Sequence, residues 1–265
     1  MIDIVMPVKG SIQMTIEAIQ SLKKNTSGKY RLIVTCDHSQ EDVKQTLEST
    51  SELAVLNTGE QGFAATCNYG ASRGNSPLVL FLNSDVWIVD PGWLLAMVAE
   101  FADQRIGAVG SKMMFFDQSV PGFTKKGSDI RPPGTVQHAG VAFDFLNRPY
   151  HMFLGWAPWH PKVSRRLKVN AVTGACLMTR RSVFEKIGGF DTAYTLGNFE
   201  DMEYCLKVRS LGYDIVYTPD SYLYHYAGGS GNTQTAKFNE ILFHHRCHDL
   251  LVYDEYHYYF GDGLP

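Results

Sequence analysis

The feature that most restricts this chain is an alternation, between residues 2 and 116, of short apolar runs with amphipathic stretches. "IDIVMPV" reads as a strand, and "MTIEAIQSLKKN" puts Ile16, Ile19 and Leu22 on one helical face. "YRLIVTCD" is a second strand ending on Asp37, "EDVKQTLEST" a short helix, "LAVLNT" a strand and "GFAATCNYGASRG" a helix. "PLVLFLNSD" is a further strand, "PGWLLAMVAEFAD" a helix with Pro91 near its start, and "IGAVGSKMMFF" a strand. This order predicts an α/β domain with a mostly parallel sheet and helices on both faces.

The rhythm loosens over residues 117–168, rich in Pro, Gly and aromatics including Phe123, Tyr150, Phe153, Trp156 and Trp159. That stretch reads as a loop-rich insertion within one domain. A strand, "AVTGACLMTR", resumes at residue 171, and "RSVFEKIGGF" is a helix stopped by Gly188 and Gly189. "NFEDMEYCLKVRSLGY" is a helix with three acids in its first turn. "DIVYTPDSYLYHY" supplies a last strand pair, and "AGGSG" leads into a C-terminal tail.

Composition excludes several classes. With 265 residues, 45% hydrophobic and 19% charged, the chain has ample length for a packed core. A net charge of -3 gives no electrostatic case for nucleic acid as partner. Five scattered cysteines without a CxxC pair suit a reducing compartment. "MIDIVMPVKG" lacks the basic flank and apolar core of a signal peptide. No uncharged apolar run reaches the roughly 18–20 residues that span a bilayer. The expectation is a soluble, cytoplasmic protein, with peripheral attachment to a membrane compatible with it.

Open α/β sheets bind ligands beyond the carboxyl ends of their strands. Asp37 and the Asn83-Ser84-Asp85 triplet fall at such ends. No GxxxxGK[ST] is present and no GxGxxG follows the first strand, so "PVKGS" argues against a dinucleotide-binding protein or a P-loop NTPase. An amide and a carboxylate two residues apart can face one hard cation whose shell is completed by substrate phosphate. They are also ordinary turn formers, and on these residues alone both readings stand. Glu200, Asp201 and Glu203 either complement a helix dipole, at about 0.3–1 kcal/mol each, or include a general base. His225 is a packed core histidine or a ligand of the same cation as Asp85, which would favour manganese over magnesium. His244, Cys247 and His248 share one helical face and suit either packing or a soft metal. Trp156 and Trp159 are packing residues or flat platforms for sugar rings.

In their order along the chain, "IDIVMPVKG", "TCDHS", "GEQGFAATCNYGASRG", "VLFLNSDV", "VTGACLMTRRSVFEKIGGFD", "NFEDMEYCLKVRSLGYDIVYTPDSYLYH" and "GGS" resemble the family 2 glycosyltransferases of GT-A fold. The resemblance is to the rhamnosyltransferase-like or O-antigen-type subgroup and covers about residues 2–231. It implies a GT-A domain over residues 1–231, with 117–168 as its acceptor-side insertion. Residues 232–265 would be a helical tail or lid packed on the same domain. The Gly228-Gly229-Ser230-Gly231 segment before it reads either as a hinge for a lid over the donor or as a plain flexible connector.

The resemblance also implies roles. Pro7 and Val8 match residues lining the nucleoside pocket, and Asp37 the acid that contacts the nucleobase. Gly62 and Asn68 fall beside the donor. Asn83, Ser84 and Asp85 occupy the DxD-type motif, with Asp85, Asn83 and His225 toward a Mn2+ or Mg2+ ion on the donor diphosphate. Asp201 matches the catalytic base, Glu200 and Glu203 its flanking acids, and Gly174 and Ala175 the segment that approaches sugar and acceptor. The implied activity is inverting transfer from a UDP-, dTDP- or GDP-sugar to a saccharide or lipid-linked saccharide in polysaccharide biosynthesis. Two departures are visible: Asn83 replaces the motif's first carboxylate, and Cys67 stands where some relatives carry arginine. A nucleotide-sugar-binding protein without catalysis is the alternative. A sugar nucleotidylyltransferase would need a Gly- and Arg-rich loop that "PVKGS" lacks.

Overall fold

The computed structural model describes residues 1–8, 11–37, 44–48, 55–59, 61–116, 133–226 and 233–264. The Gly228–Gly231 hinge or connector expected from the sequence and residues 117–132 of the insertion lie outside them. The elements follow in the order β1 (Ile2–Val8), α1 (Ile12–Lys24), β2 (Tyr30–Cys36), β3 (Val55–Asn57), α2 (Phe63–Ser72), β4 (Leu78–Leu82), β5 (Val86–Trp87) and α3 (Trp93–Glu100). Next are β6 (Ile106–Phe115), β7 (Val136–His138), β8 (Val141–Phe143), β9 (Pro149–His151), β10 (Leu167–Val169) and β11 (Cys176–Arg180). The chain continues through α4 (Arg181–Ile187), α5 (Glu200–Ser210), β12 (Asp214–His225), α6 (Thr233–Cys247) and α7 (Glu255–Tyr259).

Among the described residues one large sheet runs β10-β12-β6-β11-β4-β1-β2-β3, with β5 on β12 and β7 on β6. β4, β1, β2 and β3 are mutually parallel, as are β6 and β12. β11 lies antiparallel between β4 and β6, so the sheet is mixed but mostly parallel, as the sequence predicts. Strand alternation divides the core in two. Val79 and Phe81 of β4 join α2, α4 and α5 in one cluster, while Leu80 and Leu82 join α1 and α3 in the other. Glycine at position 70 lets α2 lie close on the sheet, because a Cβ there would come 2.4 Å from Val5 Cγ1. α4 ends at Gly188 in the left-handed region (φ 90°), the stop expected from its sequence.

Three expectations change. The last strand pair is one twelve-residue strand, β12, with a register shift between Thr218 and Tyr222. Pro219 and Asp220 fall within that irregularity, which pairing with β6 on both sides carries through. The strand expected from residue 171 begins only at Cys176, since Thr173 and Gly174 turn toward α5. The inserted region is also less loop-like than its composition suggests: β7 joins the main sheet, and β8 and β9 form a hairpin. The tail packs on the same core through Phe243, Cys247 and Tyr258. Buried Asp254 ties it down, accepting from Phe143 N–H at 2.6 Å.

Candidate active site

β1, β2 and β4 are parallel, so Pro7, Val8, Asp37 and Asn83 arrive at one end of the sheet. Pro7 and Val8 are buried in register with Thr35 and Cys36. Asp37 Oδ2 accepts from Gly62 N–H at 3.3 Å, linking the end of β2 to the start of α2. Gly62 has a φ of 103°, and a Cβ on it would stand 3.3 Å from Leu196 N, so glycine serves both the turn and the close approach. Asn68 is engaged elsewhere. Its amide clamps Phe190 in both directions, accepting from N–H at 2.9 Å and donating to C=O at 2.8 Å.

After β4 the chain turns through buried Ser84 to half-buried Asp85. β5 then pairs with the end of β12, and this brings Asp85 Oδ1 to 3.1 Å from His225 Nε2. Burial pushes the Asp85 carboxyl up, but the neighbouring His225, a backbone N–H and Asn83 more than offset it and hold it below its ordinary value. Asn83 Nδ2 lies 3.2 Å from His225 Nε2, so the amide presents nitrogen to this pair and would have to rotate to serve as an oxygen ligand. Among the described residues no three His, Cys, Asp or Glu side chains come together as a metal cage. The Asp85–His225 pair nevertheless suits a hard cation. Adjacent ligands on bonds of roughly 2.1 Å stand about 3 Å apart, and carboxylate, imidazole and amide leave the rest of the shell to phosphate and water.

The acids of α5 divide by environment. Asp201 Oδ2 accepts from Gly174 N–H at 2.7 Å, and Oδ1 from Met202 N–H at 2.8 Å. Burial raises its pKa above the usual carboxylate value, against those two N–H groups and nearby His151. Glu203 points away, to Lys207 Nζ at 2.8 Å and toward Arg246 of the tail. Glu200 is buried near Cys67, whose thiol is pushed well up by burial and by that acid. The turn at 173–175 joins the two halves. Ala175 C=O accepts from Asn83 N–H at 3.0 Å, one residue from the Gly174–Asp201 bond.

Sequence reasoning missed several participants. Leu196, Gly197, Asn198 and Phe199 all have positive φ (62°, 108°, 82° and 76°), a strained run leading straight into α5. Buried Asn239 of α6 holds it, donating from Nδ2 to the carbonyls of Thr195 (3.0 Å), Gly197 (2.8 Å) and Asn198 (3.3 Å). His138 and His151 stack edge-on with centroids 4.7 Å apart, and burial lowers the pKa of both. Gln137 bonds His225. None of these had a usable signal, because isolated polar residues in aperiodic or tail segments look like surface.

Of the aromatics, Trp156 packs among Phe153, His160 and Tyr259, whereas Trp159 is 79% exposed. His244, Cys247 and His248 do not converge. Cys247 is buried in the core, and His248 pairs with Asp249 at 2.9 Å.

The model of the family described as "Glycosyl transferase family 2" matches residues 3–188. The chain belongs to glycosyl transferase family 2. Among relatives of this family 2 chain, the uncharacterized protein y4gI of Sinorhizobium fredii (strain NBRC 101917 / NGR234) is 29% identical over 87% of the chain and 25% of its own length. The O-antigen biosynthesis protein RfbC of Myxococcus xanthus is 33% identical over 63% of the chain and 12% of its own. An N-acetylglucosaminyl-diphospho-decaprenol L-rhamnosyltransferase of Mycobacterium tuberculosis (strain ATCC 25618 / H37Rv) is 28% identical over 33% of the chain and 28% of its own. The chain thus spans a quarter or less of the first two relatives.

Solved structures agree on the fold. GalNAc-T7 with UDP, GalNAc and Mn2+ superposes with a TM-score of 0.68 at 16% identity, covering 92% of the chain and 47% of that protein. The mannosyltransferase PcManGT of Pyrobaculum calidifontis, with GDP-Man and Mn2+, gives 0.60 at 15%, covering 94% and 64%. The sheet and flanking helices of this family 2 chain are those of the GT-A glycosyltransferases. Among the described residues no helix is long and apolar enough to cross a membrane.

Proposed function

We propose that this family 2 chain transfers a sugar, with inversion, from a nucleoside-diphosphate donor to a hydroxyl of a saccharide acceptor. The observation that carries this reading is the turn at 173–175. It binds Asp201 through Gly174 N–H and Asn83 N–H through Ala175 C=O, so in this reading one turn ties a proton acceptor to the segment that leads into the Asp85–His225 pair. In this reading the nucleoside lies against Pro7, Val8 and Asp37. Asp201, aimed by the Gly174 and Met202 N–H groups, takes the proton from the acceptor hydroxyl as its oxygen attacks the anomeric carbon. The glycosidic bond forms as the sugar–phosphate bond breaks, and a single displacement inverts the configuration. Asp85 and His225, with Asn83 after rotation of its amide, would hold Mn2+ or Mg2+, whose chemistry when bound is Lewis-acid stabilisation of charge on the leaving diphosphate.

The names of two relatives guide the acceptor. One concerns O-antigen and the other a diphospho-decaprenol-linked sugar, so we assign the acceptor to the saccharide or lipid-linked saccharide class, in polysaccharide assembly. The test is a thermal-shift panel of UDP, dTDP and GDP, with and without Mn2+, followed by transfer assays with the donor sugars of the responding nucleotide. Metal-dependent stabilisation by one nucleotide and turnover lowered about 10²–10⁴-fold in Asp201→Asn support the reading. Unchanged turnover in Asp201→Asn overturns it.

A further inference from the structure

Gln137 lies in β7, inside the stretch that the sequence assigns to the acceptor side, yet its side chain bonds to His225 of the proposed cation pair. It is 4% exposed, and its side chain makes two bonds to one residue. Nε2 donates to the His225 backbone carbonyl at 3.0 Å, and Oε1 faces His225 Nδ1 at 2.7 Å. The first bond determines the second. A carbonyl only accepts, so the amide nitrogen must face it, which leaves the amide oxygen against Nδ1, and Nδ1 must then carry the ring proton. In the neutral ring Nε2 holds the lone pair, and Nε2 is the atom 3.1 Å from Asp85 Oδ1. β7 and β12 both pair with the distal part of β6, and this brings together two residues 88 apart in sequence.

We propose that Gln137 is a positioning residue that fixes the tautomer and ring orientation of His225, so that Nε2 is presented to a divalent cation shared with Asp85. The inference rests on the cation site of the proposed function and adds to it the group that sets its nitrogen ligand. Outer partners of metal-bound histidines orient the ring and raise its basicity, and their loss typically weakens metal binding by roughly 10–100-fold.

The test compares the full chain with Gln137→Met and Gln137→Glu. Free Mn2+ is followed by electron paramagnetic resonance as it is titrated into each protein with UDP, dTDP or GDP, and folding is checked by circular dichroism melts. Gln137→Met, nearly isosteric but unable to accept from Nδ1–H, should bind Mn2+ roughly 10–100-fold more weakly. Gln137→Glu, buried and protonated on the oxygen that faces the His225 carbonyl, keeps both the donor to that carbonyl and the acceptor for Nδ1–H, and should stay within about threefold of the parent. A merely structural role requires the reverse order, because a buried Met is tolerated better than a buried carboxylate. Equal affinity in Gln137→Met and parent, or weaker binding in Gln137→Glu than in Gln137→Met, overturns the proposal. If Gln137→Met fails to fold, Gln137→Glu decides alone, and a loss beyond about tenfold overturns it. Absence of Mn2+ binding by the parent with every nucleotide removes the cation site itself, which is a separate failure from that of Gln137.

Discussion

Replacing Asn239 by alanine tests whether the C-terminal helix holds Asp201, the proposed base, in place. Asn239 lies in α6, and its Nδ2 supplies hydrogen bonds at 2.8 and 3.0 Å and a weaker one at 3.3 Å to the turn preceding α5. Each good bond contributes about 0.5–1.5 kcal/mol net, so their loss destabilises by roughly 2 kcal/mol. Leu196, Asn198 and Phe199 sit at positive φ, and each such residue stores on the order of 1–3 kcal/mol of backbone strain. Without the clamp that strain is released where it moves Asp201, two residues beyond Phe199. A displacement near 1 Å costs on the order of 100-fold in kcat. Asn239→Ala should therefore lower Tm by only about 4–8 °C and kcat by about 100-fold, with nucleotide affinity unchanged. Steady-state kinetics, a thermal melt and nucleotide titration on one preparation measure all three. Wild-type kcat in a variant whose Tm has dropped would refute the reasoning, since the clamp would then act on stability alone.

Asp201→Asn should lower kcat by about 10²–10⁴-fold with little change in nucleotide binding, measured by transfer and titration. Because burial raises the Asp201 pKa, wild-type kcat/KM should fall on acidification at a pH above the ordinary carboxylate range. The stability sign is opposite to that of an ion-paired acid. A raised folded-state pKa contributes stability below the unfolded pKa and loses it as pH rises through the folded one, so Asp201→Asn should compare best with wild type at neutral pH in pH-dependent melts. His225→Ala should raise the Mn2+ concentration needed for half-maximal nucleotide stabilisation, and an unaltered requirement in the thermal-shift panel would remove His225 from the cation site. Asp3, fully buried between Arg31 (2.7 Å) and Arg181 (2.8 Å), is structural. Asp3→Ala should cost about 3–5 kcal/mol in urea unfolding, because it strands the largely buried Arg181.

Much of the fold was legible because it rests on short-range pattern. Apolar strands alternating with amphipathic helices announce a parallel sheet, and Gly188 ends α4 where a left-handed residue is needed. Asp37 and Asp85 stood out because polar side chains closing apolar strands must reach the crevice end of such a sheet. The β12 irregularity and the strands of the insertion were not legible, since their pairing partners lie far away in the chain. Among the acids of α5, local sequence treats Glu200, Asp201 and Glu203 alike. Only packing turns Asp201 to Gly174 and Glu203 to Lys207. Likewise, only packing commits Asn68 to Phe190, Gln137 to His225 and Asn239 to a turn 42 residues earlier. The chain by itself determined its layers and which polar side chains close the parallel strands, because periodicity and strand direction are local properties. The partner of each polar group was decided by the tertiary structure, because a single amide or carboxylate finds its hydrogen bonds only when distant segments close around it.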